Sequence, residues 1–254
     1  MQLNSPLQPV IRKLNLLHRL GADDEAAIAR LPHAVSNPPS GTFLIDEGTQ
    51  PEHFFALLDG FAYRSKSLAD GRVQIVSFHM PGDLFDLRQL LSDRVDTNVV
   101  TIGPTTVAEV PIAALRSLRS THPSIADALW QDSMLDSAIY REWVVNVGQR
   151  EARQRIAHML AEFARRLEAA IPGSSQAFTV PMTQQQISAA TGLSAVHVNR
   201  IIKRLALDGV FTKRAGRLIV TDAGALDQVA SFEPGYLGPL SHVGIGKFAG
   251  SGFS

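Results

Sequence analysis

Residues Thr183–Leu205 read TQQQISAATGLSAVHVNRIIKRL, and this stretch decides the fold. Gln184–Thr191 has the makings of a short helix, with Ile187 and small Ala190 turned inward. Gly192 stands where the chain must turn sharply, and glycine takes a positive φ there without steric penalty. Ser194 is a good N-cap for a second helix, because its hydroxyl can accept a free backbone N–H of the first turn. In that helix Val198, Ile201, Ile202 and Leu205 recur at spacings of three and four, so they share one face. His197, Asn199, Arg200, Lys203 and Arg204 occupy the other. A helix packed on one side and cationic on the other fits the major groove of DNA. An ordinary amphipathic pair with a solvated basic face has the same pattern, so the next stretch matters.

Asp208-Gly209-Val210-Phe211-Thr212, then Lys213-Arg214-Ala215-Gly216-Arg217, then Leu218-Ile219-Val220 reads as two short strands around a basic turn. A basic hairpin directly after such a helix is a wing able to touch phosphate beside the groove. Together the two stretches predict a winged helix-turn-helix.

The charge distribution agrees. The net charge is zero, yet residues 1–147 carry 12 Lys/Arg against 17 Asp/Glu, and residues 148–231 carry 11 against 6. The second part is suited to a polyanion and the first is not. There is no cysteine, which excludes disulfides, thiol redox sensing and a cysteine-held iron–sulfur cluster. No run of about 18 apolar residues suggests a membrane span. The first residues, MQLNSPLQPVIRKLNLL, lack the order of a signal peptide. A cytoplasmic location is the expectation.

Upstream, Leu14, Leu17 and Leu20 form an apolar stripe in a short arm or helix, and Asp23–Leu31 reads as a helix with acidic residues at its start. From Thr42 to Pro111 the period changes to short strands and turns. Phe43–Ile45, Phe54–Leu58, Ala62–Leu68, Val73–His79, Val99–Ile102 and Thr106–Val110 are the expected strands. Asp59-Gly60 reads as a turn, and Ala69-Asp70-Gly71 as a hairpin. This spacing predicts a small all-β barrel or roll. From Ser124 to about Gln149 the pattern is helical, with Ile125, Leu129, Leu135, Ile139, Trp143 and Val147 along one stripe. About 25 residues give a helix of roughly 37 Å. Such a stripe calls for a partner helix from a second chain; packing against the chain's own roll is the alternative. Asp132 and Glu142 lie near the seam.

Gly148-Gln149-Arg150 is a candidate hinge, and Glu151–Ala170 a second helix with Ile156, Leu160, Phe163 and Leu167 inward. Asp222–Phe232 closes the domain, and the Gly-, Ser- and Pro-rich chain from Glu233 onward is expected to be mobile. The expected fold is α+β: a sensor β-roll with N-terminal helices (1–120), a dimerisation helix and hinge (121–150), a winged helix-turn-helix (151–231) and a flexible tail (232–254).

That order, with Gly48, Gly60, Gly71 and Gly82 in the roll, PGDLFDL at 81–87, QRIAHML at 154–160 and GLSAVHVNRIIKRL at 192–205, resembles the Crp/Fnr family of bacterial transcription regulators. Within it, the chain is similar to a Crp-like subgroup carrying a VHVNR recognition helix. The resemblance covers nearly all of Phe43–Thr221. It implies a cyclic-nucleotide-binding-like roll, a homodimer, double-stranded DNA as partner and an effector that reorients the DNA-binding domains. It implies contact with RNA polymerase if the protein activates. No cofactor is expected.

The cyclic-nucleotide cassette departs from the family. Members that bind cyclic AMP hold the ribose with a Gly-Glu pair and the phosphate with an Arg-Ser pair; here Phe85-Asp86 and Asp96-Thr97 stand in their places. A carboxylate where a phosphate needs a cation is repulsive, and a buried phosphate without charge-assisted hydrogen bonds costs several kcal/mol. Cyclic AMP is therefore not expected to bind in the usual way, although Arg88 or Arg94 could substitute. The resemblance places Asp86, Thr97, Asn98, Tyr140 and Arg141 around an effector pocket; the bland alternative is that Asp86, Asp96, Arg88 and Arg141 pair with each other and the pocket is empty. His79 is a remote candidate for a haem ligand, more simply a hydrogen-bonded histidine.

For DNA, Arg200 is the expected base reader, since a mid-helix arginine can contact guanine O6 and N7 together. The resemblance places an arginine there for that role. Val196 stands where many relatives have a glutamate, and could touch a thymine methyl. His197 and Asn199 are expected to add base or phosphate contacts; Thr183, Gln185, Ser194, Lys203, Lys213, Arg214 and Arg217 are expected to position the backbone, with Arg204 on the same cationic face. An enzyme on this roll would need a metal cluster, and with His53 and His79 alone, no H-x-H pair and no P-loop, none is expected.

Overall fold

The computed structural model of the protein describes residues 5–85, 87–91, 94–174 and 177–243. Two helices, α1 (Gln8–Leu17) and α2 (Ala22–Ala29), precede the roll strands β1 (Ala34–Ser36), β2 (Phe43–Ile45), β3 (His53–Ser67), β4 (Val73–His79) and β5 (Asn98–Pro111), with a 3-10 turn at Leu87–Leu90. Then come α3 (Ile112–Thr121), α4 (Pro123–Gln149) and α5 (Ala152–Ala170). The last third holds β6 (Phe178–Thr179), α6 (Gln184–Thr191), α7 (Ala195–Leu207), β7 (Phe211–Arg214), β8 (Arg217–Val220), α8 (Ala223–Ala230) and a 3-10 segment, Pro234–His242.

The roll is one antiparallel sheet in the order β1-β5-β3-β4, with β2 also on β5. The expected turn at Asp59-Gly60 is instead a pair of bulges inside the 15-residue strand β3, and Val99–Ile102 and Thr106–Val110 lie in the single strand β5. The bulges bend the long β3–β5 ribbon and let it wrap. Gly60 makes the bend possible: its φ is +81°, and a Cβ there would stand 2.3 Å from the Pro104 carbonyl oxygen. Helix α3 was not expected. Its buried Ile112, Leu115 and Leu118 recur every three residues directly after the strand, so strand and helix periods run together.

The apolar stripe of α4 has a different partner from the one expected. Ile125, Leu129, Leu135, Ile139 and Trp143 are buried within the chain, against α1, α3, the roll and α5. That stripe therefore makes no case for a second chain, and Val147 is exposed. A different face of α4 is left open, bearing Trp130, Met134, Val144 and Val145.

The tail also differs from expectation. Up to Val243 it is packed chain: Phe232, Leu237 and Leu240 join the core that α5 forms with the winged helix. Composition misled because Gly235, Gly238 and Pro239 space these anchors without displacing them. The remainder, 244–254, lies outside the described residues.

Where α4 meets α5, the chain is extended at Arg150 and Glu151. His158 of α5 sits under this joint, 1% exposed, with Phe232 against its edge, Tyr236 stacked at 6.1 Å and Glu142 at 3.3 Å. Burial, reinforced by Arg150, pulls the His158 pKa down to about 3. The unfolded chain therefore takes up a proton below about pH 6.5 that the folded chain refuses. This group's share of stability is intact above pH 6.5 and lost as the pH falls toward 3. His158→Gln is expected to flatten the urea-unfolding stability profile between pH 6.5 and 4, by up to about 1.4 kcal/mol per pH unit. Parallel profiles for the two proteins would contradict this environment for His158.

Candidate nucleic-acid interface

Helix α6 begins with a capping box: Thr183 Oγ1 accepts from the Gln186 amide at 3.1 Å and Gln186 Oε1 from the Thr183 amide at 2.8 Å. It ends at Gly192, whose φ is +67°, the left-handed conformation the turn requires. Ser194 caps α7, its hydroxyl accepting from the His197 amide at 3.2 Å. Val198, Ile201, Ile202 and Leu205 bury the inner face of α7. Val196, His197, Arg200, Lys203 and Arg204 are all exposed, with Val196, Arg200 and Lys203 in one row at four- and three-residue steps. Asn199 turns inward: its Nδ2 donates to Gln184 Oε1 at 3.0 Å and ties the two helices together.

The wing is a three-stranded sheet in the order β6-β8-β7, one strand more than the sequence suggested. Ala215 and Gly216 both have positive φ, so the β7–β8 loop is a two-residue turn whose twist suits a hairpin. Lys213, Arg214 and Arg217 flank this turn and are exposed. The structure thus gathers the exposed cations of α7 and of the wing into one module. Thr183, Lys213 and Arg217 share a cleft of about 530 Å³ with Phe61 and Pro104 of the roll, and Gln185 faces Arg72 of the β3–β4 hairpin across a second one.

The module is mounted on the roll through a buried charge cluster. Asp83, directly after Pro81-Gly82, is 4% exposed. Its Oδ1 lies 2.9 Å from Lys13 Nζ on α1. Its Oδ2 accepts from Arg166 of α5 at 3.1 Å, from His79 Nδ1 at 3.1 Å and from the Met80 amide at 3.2 Å. Burial alone would raise the Asp83 pKa, but Lys13, His79 and Arg166 hold it well below the usual carboxylate range. Asp132 of α4 shares the same ammonium, at 2.6 Å from Lys13. Burial, with Asp136 and Asp83 adding to it against the pull of Lys13, pushes Asp132 up to about 6. Arg166 also reaches Glu162 at 3.5 Å, and Glu162 accepts from Trp143 of α4 at 3.0 Å and from Tyr236 at 2.8 Å. This cluster was missed in the sequence; the one local sign was a pair of charged positions, Asp132 and Arg166, on otherwise apolar helix faces.

His79 is occupied on both ring nitrogens, by Asp83 and by Ser77 at 3.2 Å, and burial depresses its pKa. It is a hydrogen-bonded core histidine, with no nitrogen left for an iron. Among the described residues no group of three His, Asp or Glu is placed to hold a metal.

The expected effector residues are only partly brought together. Asn98 is buried on β5, accepting from the Glu47 amide at 2.8 Å and donating to Ser67 at 3.4 Å. Thr97 is half-buried beside it. Tyr140 Oη accepts from Arg64 Nη1 at 2.8 Å. Arg64, a buried arginine in mid-strand, was not singled out because a strand's alternation lets any single charge be read as outward-facing. Arg141 points away, exposed, and donates to Ser137 on its own helix at 2.8 Å. Asp86 lies outside the described residues. Arg88 pairs with Asp96 at 2.5 Å, so one carboxylate of the altered cassette is neutralised internally.

Comparison with known proteins agrees with this architecture. Residues 154–229 match the Crp-like helix-turn-helix domain, and residues 37–122 the cyclic nucleotide-binding domain. The nitrogen fixation regulation protein FixK of Bradyrhizobium diazoefficiens is 27% identical over 192 residues, spanning 76% of this chain and 80% of its own. The transcriptional activator protein FnrL of Cereibacter sphaeroides is 25% identical over 225 residues, spanning 85% and 88%. Among solved structures, FixK2 from Bradyrhizobium japonicum has the same fold, with a TM-score of 0.70 at 22% identity over 78% of this chain and 98% of that one. The c-di-GMP responsive global regulator CLP of Xanthomonas campestris follows at 0.62 and 18%, over 79% and 99%. No described helix is long and apolar enough to cross a membrane. A cyclic-nucleotide-type roll joined by a long helix to a Crp-like winged helix makes this chain a DNA-binding transcription regulator of the Crp/Fnr family.

Proposed function

We propose that two copies of this chain pair along α4 and set their α7 helices into successive major grooves of an inverted repeat. The observation that carries this reading is the open face of α4. Trp130, Met134, Ser137, Arg141, Val144 and Gly148 recur at steps of four and three, the seam spacing of a two-stranded coiled coil. Trp130 is 63% exposed and Val144 70%, on a helix whose opposite face is fully engaged. Water is a poor partner for such a stripe, and a second copy of the helix is a good one. Ser137 and Arg141 are the polar positions that would fix its register.

On this reading Arg200 contacts guanine and Val196, 72% exposed, meets a thymine methyl. His197 and Lys203 flank them, Arg204 follows, and Lys213, Arg214 and Arg217 of the wing reach phosphate. Thr183, Gln185 and Ser194 line the helix starts, where backbone amides favour an anion. Asn199 acts through Gln184, by setting the angle of α7 on α6. Half-sites would lie about 34 Å apart, one helical turn. The place of action is the cytoplasm, where DNA and RNA polymerase are met. The roll acts as a sensor of an effector other than cyclic AMP, at Thr97, Asn98, Tyr140 and its Arg64 partner. A second reading, regulation without an effector, is favoured by the Arg88–Asp96 ion pair, which leaves both charges already answered from within.

Arg200→Ala is expected to cost about 1–3 kcal/mol on the cognate repeat in a gel shift and to relax specificity at one base pair. An equal loss on random DNA would contradict base reading. Val144→Glu is expected to convert the dimer into monomers in sedimentation velocity; an unchanged dimer would overturn the pairing through α4.

A further inference from the structure

Residues 232–243 lie past the helix-turn-helix match, which ends at residue 229, yet they are built into the interior. Ser231, at φ +48°, turns the chain back at the end of α8, and the Phe232 amide bonds to the Asp227 carbonyl. From there the segment runs over α5 and α4 and reaches α1. Its side chains grip both sides of one joint. On the α5 side, Tyr236 stacks on His158 while Phe232 packs edge-on against it, and Tyr236 donates to Glu162. Glu162 in turn holds Trp143 of α4. Leu237 is fully buried, and Leu240 sits over Lys13, Met80 and Arg166, where α1, the roll and α5 converge.

The joint between α4 and α5 is short. Arg150 and Glu151 are extended, with ψ of 143° and 154°, and the helices on either side are regular. Rotation about those few bonds would swing α5, and the winged helix with it, relative to the long helix. Such a swing shears a segment packed on both helices at once. Arg150 to Glu142, Glu142 to His158, Asn146 to the Arg155 carbonyl and Arg155 to the Arg150 carbonyl lie close to the pivot and resist rotation with little leverage. The Trp143–Glu162 bond and the Asp83 cluster act farther out, on the side where the segment packs.

We propose that residues 232–243 are an intramolecular clamp that, alongside the Asp83 cluster, holds the angle between α4 and α5, and so the direction in which α7 faces. The clamp acts in each chain by itself and does not depend on the dimer.

The chain has no cysteine, so two can be introduced as the sole labelling sites. Ala113 on α3 and Leu207 at the end of α7 are exposed and outside the DNA-facing set. Nitroxides at Ala113→Cys and Leu207→Cys, with labelled chain diluted into unlabelled chain, report the angle by pulsed dipolar EPR. The intact protein is expected to give one narrow distance. Deletion of residues 232–254 is expected to broaden it into a second population while far-UV circular dichroism keeps its helical signal. A full-length Tyr236→Phe, Leu237→Ala variant is expected to do the same, and decides the matter alone if the deletion unfolds. A narrow, unshifted distance in the folded deletion, or in the folded double variant, would overturn the clamp.

Discussion

A carboxylate cannot stay ionised in a protein interior unless cations and N–H donors surround it. Asp83 is in that position, and its partners come from three separate parts of the chain: Lys13 from α1, His79 and the Met80 amide from the roll, and Arg166 from the first helix of the DNA-binding part. Asp132 of α4 joins through Lys13. Four regions, α1, the roll, α4 and α5, are thereby forced to one point. Displacing any of these groups leaves a buried charge without its partner. The placement of the winged helix on the roll follows from this constraint together with the apolar contacts around it.

Beyond the cluster, α5 hands the constraint on. Arg155 donates to the Thr191 carbonyl at 2.8 Å, at the turn of the helix-turn-helix, and to the Arg150 carbonyl at 3.0 Å, at the joint. Arg153 holds Asp208 at the end of α7, and Arg165 holds Asp227 of α8. On the roll side, Gln74 of β4 donates to the Ala190 carbonyl of α6 at 3.2 Å. Phe61 and Phe78 meet Phe163 of α5. A change of charge or packing in the roll therefore has a mechanical route to α7.

The DNA-binding module was legible because its determinants are local. Gly192, the cap at Ser194, and the spacing of Val198, Ile201, Ile202 and Leu205 lie within a single short stretch, and each signal is a neighbour of the next. The surroundings of α4 were not legible. Periodicity discloses that a helix has an apolar face but not what covers it, and here the stripe at Ile125, Leu129 and Ile139 is covered by the same chain. The second stripe, through Trp130 and Val144, is sparser and was masked by the first. The Asp83–Arg166 contact joins residues 83 positions apart, and spacing carries no trace of it. The tail misled for another reason: four anchors, Phe232, Tyr236, Leu237 and Leu240, outweigh a disorder-like composition once a groove exists to receive them.

The central claim is that roll and winged helix are held as one body through Asp83. A double-mutant cycle with Asp83→Asn, Arg166→Met and the pair, read by urea unfolding, tests it directly. Removing one partner of a buried pair leaves an uncompensated charge, so each single change should cost about 3–5 kcal/mol, with a coupling energy of roughly 1–3 kcal/mol between them. Additive losses, with coupling near zero, would mean that the two domains are held by other contacts and that Asp83 is not their anchor.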